Sequence, residues 1–259
     1  MNHALLAVEA VKLRRSPVTW TASVVLVLVV PALCALFLRV SGVVGGAPGT
    51  SPAARKVQAL LIGEGWPAYL NLLAQVLSVA TLLAVGFVVT WSVGRELADG
   101  TAAAVLVLPV DRRQVLLAKL AVVLAWAVLT CAAAVGVGCL LGLFALGGMD
   151  ADALPAIGMA LAVGALGAVL ALPLALVAVL GRGYLPAIGA LLALVVVTQV
   201  LTTFGAGAWF PYAAPSLWAG MGGAAAAEAV TPLQLLLVLP VGAVGAAAAA
   251  GAWSRLELA

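Results

Sequence analysis

The apolar residues of this chain fall into six long runs, separated by shorter segments rich in glycine, proline or charged residues. A helix that crosses the hydrocarbon core of a bilayer needs about 20 apolar residues. The pattern therefore predicts six transmembrane helices, at residues 18–40, 66–92, 115–146, 154–180, 184–204 and 232–253. The predicted fold is an all-α membrane protein with a single transmembrane domain over residues 1–259.

The composition supports a membrane protein over a soluble one. Hydrophobic residues make up 66% of the chain and charged residues only 8%, whereas soluble domains carry about 25% charged residues. The net charge of +3 does not indicate nucleic-acid binding, because the basic residues cluster at the ends of the apolar runs, where membrane proteins place them. The expected surroundings are a lipid bilayer, with no nucleic-acid partner.

The first seventeen residues predict a short helix at the membrane interface. Leu and Val side chains are mixed there with Glu9, Lys12, Arg14 and Arg15, and Pro17 ends the segment. Glu9 and Lys12 stand three positions apart and can form an ion pair on a helix. A secretory signal is the alternative, but the apolar run that follows exceeds the roughly 7 to 15 residues of such a signal.

The basic residues also predict the orientation. Of the 12 Lys and Arg residues, all but Arg39, Arg55 and Lys56 fall on the side that carries both termini. Cytoplasmic loops are enriched in Lys and Arg, so we expect both termini in the cytoplasm.

The predicted spans carry no ionisable residue in their central portions, although transporters driven by an ion gradient usually do. The polar residues at depth form two groups: Asn71 with Gln75, and Thr198 with Gln199 and Thr202. They either line a path through the membrane or form hydrogen bonds between helices. The sequence leaves both possibilities open.

Few residues of this chain are suited to phosphate binding, metal binding or catalysis. A phosphate-binding loop needs a lysine after a glycine-rich turn, and none of the lysines follows a glycine. The three cysteines lie in apolar runs without metal-ligand spacing, and the one histidine is His3. Asp99-Gly100 is shared with phospholipid head-group transferases, but the later paired aspartates that bind metal there are missing. We expect no enzyme, metal or cofactor in this chain, so energy for transport must enter through another subunit.

Six charged residues are concentrated between the second and third apolar runs, around the short apolar stretch 102–108: Arg95, Glu96, Asp99, Asp111, Arg112 and Arg113. This stretch is far too short to span a bilayer, and so short a helix is marginal in water unless it docks on a partner. After it, Asp111 can cap the third span, with Gln114 in position for the return bond of a capping box.

These residues carry a resemblance to a known family. Arg95-Glu96, Gly100-Thr101, Leu108-Pro109, Arg113 and Lys119 resemble the signature loop of the type-2 permeases of ATP-binding-cassette (ABC) exporters. Residues 9–16 resemble the start of the small six-span permeases in that group, which include those of antibiotic and bacteriocin export and immunity. The resemblance covers the whole chain and implies a bacterial cell-membrane protein.

The resemblance implies roles for particular residues. Residues 102–108 would be a cytoplasmic coupling helix that docks on an ATPase subunit, and the coupling residues would be Glu96, Gly100, Thr101, Val105, Leu108 and Arg113. The segment between spans five and six would re-enter the membrane as a hairpin that contains Trp209, Phe210, Pro211 and Trp218. The substrate path, lined by spans two and five, would include Asn71, Gln75, Thr198, Gln199 and Thr202.

The implied assembly has two ABC ATPases, which bind ATP and Mg²⁺, and two permeases, either identical or related. Its expected function is export of an amphipathic or lipid-like drug, antibiotic or peptide. The alternative is an immunity or sensor protein that binds a peptide antibiotic without transporting it.

Overall fold

A computed structural model describes residues 3–42, 49–101 and 111–256, and these residues are predominantly helical. In chain order the helices are α1 (His3–Arg15), α2 (Pro17–Val24), α3 (Val30–Val40), α4 (Pro52–Gln58), α5 (Gly65–Ala98), α6 (Arg112–Leu146), α7 (Ala153–Ala171), α8 (Leu174–Leu180), α9 (Tyr184–Thr203), α10 (Ala214–Trp218), α11 (Ala224–Glu228), α12 (Pro232–Leu236) and α13 (Val238–Ser254). A π-helical turn over Val25–Val29 joins α2 to α3, and a 3₁₀ turn over Gly207–Trp209 follows α9.

Within the described residues, six helical segments are long and apolar enough to cross a membrane. They are Pro17–Val40, Gly65–Ala98, Arg112–Leu146, Ala153–Leu180, Tyr184–Thr203 and Pro232–Ser254, called the first to sixth spans below. The prediction of an all-α fold with six membrane helices is therefore confirmed.

Prolines mark the irregularities inside these spans. In the first span the π-helical turn comes just before Pro31, and in the fourth span Pro173 separates α7 from α8. Proline has no N–H for the helical ladder, and its ring crowds the preceding turn. The wider turn and the break are the local adjustments that such residues require.

Helix α5 lies at the centre of the molecule and packs along α6, α7, α8 and α9. One half of α5, with Tyr69, Leu73 and Leu77, belongs to a core that also contains residues of the first span. The other half, with Val85 and Val89, belongs to a second core reached by α6, α8 and α13. Any displacement of α5 therefore disturbs both cores.

Glycines let α6 approach α5 closely. A Cβ on Gly138 would meet Leu73 Cδ2 at 2.5 Å, and one on Gly142 would meet Trp66 Cζ3 at 2.6 Å. Tyr69 donates a hydrogen bond from its hydroxyl to the Gly138 carbonyl at 3.0 Å. The four-residue spacing of these glycines thus serves close helix packing.

The fifth span is the most exposed. In the apolar 18-residue window of the fifth span only 11% is buried, against 67% in the corresponding window of the second span. Large apolar side chains project from the fifth span, including Leu185, Leu192 and Val196. This face is suited to contact with lipid or with another membrane protein.

The segment between α9 and α12 contains α10 and α11, joined by a turn at Gly220, Gly222 and Gly223. Ala213, Ala214, Leu217 and Val230 form a small core there. Of the aromatic residues predicted for the re-entrant hairpin, Trp209 is exposed, whereas Phe210 and Trp218 pack partly buried against that core. Pro211 is half-buried. That the segment re-enters the membrane stays a prediction.

Candidate functional site

Four charged side chains meet where α1, α5 and α6 come together, and we call them the ion network: Glu9, Lys12, Glu96 and Lys119. Lys119 Nζ donates to Glu9 Oε2 at 2.7 Å and to Glu96 Oε1 at 2.8 Å. Lys12 Nζ donates to Glu9 Oε1 at 2.8 Å and to Glu96 Oε1 at 3.0 Å. Two lysines and two glutamates thus connect three helices.

The network is shielded from solvent. Lys119 is 3% exposed and Glu9 5%. A buried charge is strongly unfavourable unless an opposite charge and hydrogen bonds compensate it. Lys119 obtains that compensation only when α1 and α5 both present their carboxylates, so its burial fixes the positions of these helices relative to α6.

Lys12 lies at the rim of the network, and its side chain is 44% exposed. Burial by itself lowers the pKa of Lys12, but the hydrogen bond from Lys12 to Glu9 and the charge of Glu96 outweigh it and raise that pKa above its ordinary value of 10.5. Lys12 therefore stays protonated throughout the physiological range.

Helical spacing brings these side chains together. Glu9 and Lys12 lie on one face of α1, one turn apart, as predicted. Lys119 stands about two turns inside α6, between the buried side chains of Leu116 and Leu120. Glu96 lies in the last turn of α5, a few residues before the segment 102–110, which lies outside the described residues.

A cavity of about 400 Å³ opens beside the network, between α1, α2, α5 and α6. We call it the charged cavity. Its polar lining consists of Glu9, Lys12, Arg15, Ser16, Thr19, Ser92, Arg95, Glu96, Asp99, Thr101 and Lys119, and its apolar lining of Leu13, Val88, Trp91, Val122 and Val123.

The predicted coupling residues fall into three groups. Glu96 belongs to the ion network, Thr101 donates from Oγ1 to the Glu96 carbonyl at 3.3 Å, and Gly100 adopts a left-handed φ of 69° just after α5 ends. Val105 and Leu108 lie outside the described residues, as does the whole predicted coupling helix. Arg113 points elsewhere, because its Nε lies 3.4 Å from Ser254 Oγ of α13.

Asp111 caps α6 as predicted, but only with its own side chain. Its Oδ1 accepts from the Arg113 backbone N–H at 3.0 Å. In the part of the chain that the structure describes, Gln114 makes no return bond to Asp111, so the predicted capping box is wrong. Helix α6 nevertheless begins directly after Asp111.

A second cavity, of about 200 Å³, lies between α5, α7, α9 and α10, and we call it the threonine cavity. Thr198, Gln199 and Thr202 line it. The hydroxyls of Thr198 and Thr202 donate to carbonyls of their own helix. Of the two possibilities that the sequence left open, this geometry favours lining a cavity over bonding between helices.

Gln75 and Asn71 do not line the threonine cavity. Gln75 is 2% exposed, and its Nε2 donates to the Leu60 carbonyl at 3.0 Å. It therefore ties α5 to the loop after α4. Asn71 is half-buried on the same helix.

The sequence reasoning missed most of the ion network as a site. It named Glu96, but gave Glu9, Lys12 and Lys119 no functional role. A signal existed for Lys119, since a lysine inside an otherwise apolar stripe of a helix must find a carboxylate partner when it is buried. The partner could not be identified, because it depends on how α1 packs.

A protein-family model described as ABC-2 family transporter protein matches residues 5–205. Comparison with curated proteins gave no match. The matched range runs from α1 to the end of α9, so it contains the whole ion network and the residues of α9 that line the threonine cavity, Val195, Thr198, Gln199 and Thr202.

Proposed function

The chain belongs to the ABC-2 transporter family, and from this premise we propose that it is the permease subunit of an ABC exporter that moves an amphipathic or lipid-like substrate out of the cytoplasm. Family membership and six membrane helices support a permease that works with ABC ATPases, and they confirm the resemblance drawn from the charged loop. A permease of this kind is a transport component, and ATP with Mg²⁺ belongs to the ATPase partner.

In the proposed arrangement the end of the molecule that holds the ion network faces the cytoplasm, together with both termini, at a bacterial cell membrane. The unequal distribution of Lys and Arg supports this orientation. The segment 102–110 then lies on the cytoplasmic side, where residues 102–108, with Val105 and Leu108, would dock on the ATPase.

The observation that carries the proposal is the ion network at the base of this segment. The segment begins a few residues after Glu96 of α5 and is followed by Asp111, the N-cap of α6, which starts at Arg112. A force on the segment therefore acts on α5 and α6 together, and Glu9 and Lys12 extend the connection to α1. Breaking a buried ion pair costs about 3–5 kcal/mol, so the three helix ends should move as one body.

The threonine cavity supports a place for substrate. Hydroxyls and an amide on an otherwise apolar wall suit a molecule with both polar and apolar parts. The exposed face of the fifth span supports pairing with a second permease, identical or related, because this face would otherwise contact only lipid.

The test compares two variants in the complex with its ATPase. Val105→Asp places a charge on the proposed docking helix and should reduce the amount of ATPase that co-purifies with tagged permease. Glu96→Ala should leave that amount unchanged but lower substrate-stimulated ATP hydrolysis, because Glu96 bonds within the permease. The matched control is Glu228→Ala, which removes an exposed carboxylate from α11.

Unchanged ATPase recovery and unchanged stimulated hydrolysis in both variants would contradict the proposal. An immunity or sensor protein would give a different result, in which the wild-type permease binds a peptide antibiotic without an ATPase partner and without moving the peptide across vesicles.

A further inference from the structure

The charged cavity contains buried polar atoms that the protein leaves without hydrogen bonds. They are Ser16 Oγ, Thr19 Oγ1 and Glu96 Oε2, and none of them has a partner among the described residues. Thr19 is 5% exposed. Buried polar groups in native proteins are nearly always hydrogen-bonded, so three such atoms on residues that line one cavity indicate a polar occupant.

The charges of the cavity define what that occupant must offer. The ion network is paired internally, and Arg95 pairs with Asp99 at 3.0 Å. Arg15 lines the cavity and makes no ion pair with any residue in the described ranges. One guanidinium and two hydroxyls are thus available to donate, while one carboxylate oxygen of Glu96 is available to accept.

A phosphate group matches the donors, because arginine and hydroxyl groups bind phosphate oxygens well. The Glu96 oxygen needs an N–H or O–H donor, and a primary ammonium supplies one together with an opposite charge. A single group that brings both is phosphoethanolamine.

The other wall of the cavity is apolar, formed by Leu13, Val88, Val122 and Val123. Trp20, on the neighbouring helix α2, is 65% exposed and donates from its indole N–H to the Arg14 carbonyl. Tryptophans with this combination of exposure and bonding are typical of the membrane interface. The cavity therefore lies at a depth where a lipid head group meets its acyl chains.

We infer that the charged cavity binds a phosphatidylethanolamine molecule. Its phosphate contacts Arg15, Ser16 and Thr19, its ammonium donates to Glu96 Oε2, and an acyl chain lies along the valine wall. This inference goes beyond transport, since it requires only that the cavity lie at the membrane interface.

The experiment measures lipid binding to the isolated, delipidated permease by native mass spectrometry. The probes are palmitoyl-oleoyl phosphatidylethanolamine, phosphatidylcholine with the same chains, and soluble phosphoethanolamine. Phosphatidylcholine keeps the phosphate and the positive charge but has no N–H donor. We expect about tenfold tighter binding of the ethanolamine lipid than of the choline lipid, the difference made by one hydrogen bond between charged groups. Equal binding of the two lipids would overturn the inference.

The variants Arg15→Ala and Thr19→Val should each weaken binding of the ethanolamine lipid several-fold. The matched controls are Arg14→Ala and Thr21→Val, which change neighbouring residues that do not line the cavity and should bind like the wild type. The inference fails if Arg15→Ala behaves like Arg14→Ala, or if phosphoethanolamine alone binds as tightly as the lipid.

If Arg15→Ala does not fold, the comparison of the two lipids on the wild-type protein decides the question. Because no ATPase is present in these measurements, a failure of the exporter proposal leaves the result intact.

Discussion

Replacing Lys119 by methionine should destabilise the folded protein more than any other single loss of a charge described above. Methionine has nearly the same length but cannot donate, so Glu9 Oε2 and Glu96 Oε1 each lose a partner that lies at 2.7 and 2.8 Å. Lys12 still contacts both carboxylates, but it is half-exposed. Removing one partner of a buried ion pair costs about 3–5 kcal/mol, and we expect a loss of that size.

The measurement is reversible unfolding in mixed micelles by titration with SDS, followed by tryptophan fluorescence. The matched control is Arg95→Met, because the Arg95–Asp99 pair has the same kind of contact at 3.0 Å but both side chains are about half exposed. Exposed pairs contribute about 0.2–1 kcal/mol, so this variant should lose no more than that.

A third variant separates the cost of uncompensated charge from the loss of packing. Lys119→Met combined with Glu9→Gln and Glu96→Gln leaves no unpaired buried carboxylate, and replacement of a whole buried ionic group is often close to neutral. We expect it to recover most of the stability lost in Lys119→Met. The reasoning is refuted if Lys119→Met loses no more than Arg95→Met, or if the triple variant is no more stable than the single one.

Three further results follow from other parts of the structure. Gly94→Ala should lower the stability of the protein by about 1–3 kcal/mol in the same titration, because a Cβ there would overlap the backbone of the turn between α8 and α9. The control is Gly136→Ala, which should not lower the stability because nothing lies within 4 Å of the added Cβ. Thr202→Val, in the threonine cavity, should raise the apparent KM for transport about two- to tenfold, which is the size of effect expected for one lost hydrogen bond. The control is Thr203→Val, which removes a similar bond to a carbonyl of the same helix outside the cavity and should leave the KM unchanged. The pKa of Lys12 is raised in the folded protein, so the stability that Lys12 contributes is complete below the pKa of the unfolded chain and is lost only as the pH rises through the pKa of the folded protein. Lys12→Met should therefore lose the same stability relative to wild type at about pH 7 and at about pH 9. A loss that is already smaller at the higher pH would contradict this expectation.

The sequence predicts the spans well because the bilayer imposes a minimum length and an apolar composition on each of them. It also predicts local pairs, such as Glu9 with Lys12, because helical spacing alone brings the two side chains together. Both inferences need only the periodicity of one helix and the nature of the solvent.

The rest depends on how the helices rotate against one another. Gln75 and Thr198 look equivalent in the sequence, as polar residues inside apolar runs, yet one bonds a loop carbonyl and the other lines a cavity. The contact of Lys119 with Glu9 joins residues 110 positions apart, and no pattern within either helix specifies it.

The position of Glu96 in the structure differs from the one expected for a residue that docks on the ATPase. The family resemblance implies that Glu96 is a coupling residue, at the place where the permease docks on its ATPase. In the structure its side chain is 13% exposed and its Oε1 is shared by Lys12 and Lys119, so it is poorly placed to contact another subunit. We therefore expect Glu96 to transmit movement rather than to bind the ATPase. Glu96→Ala should then separate the two functions, with the ATPase still bound and its stimulated hydrolysis reduced, whereas a direct docking role would cost both together.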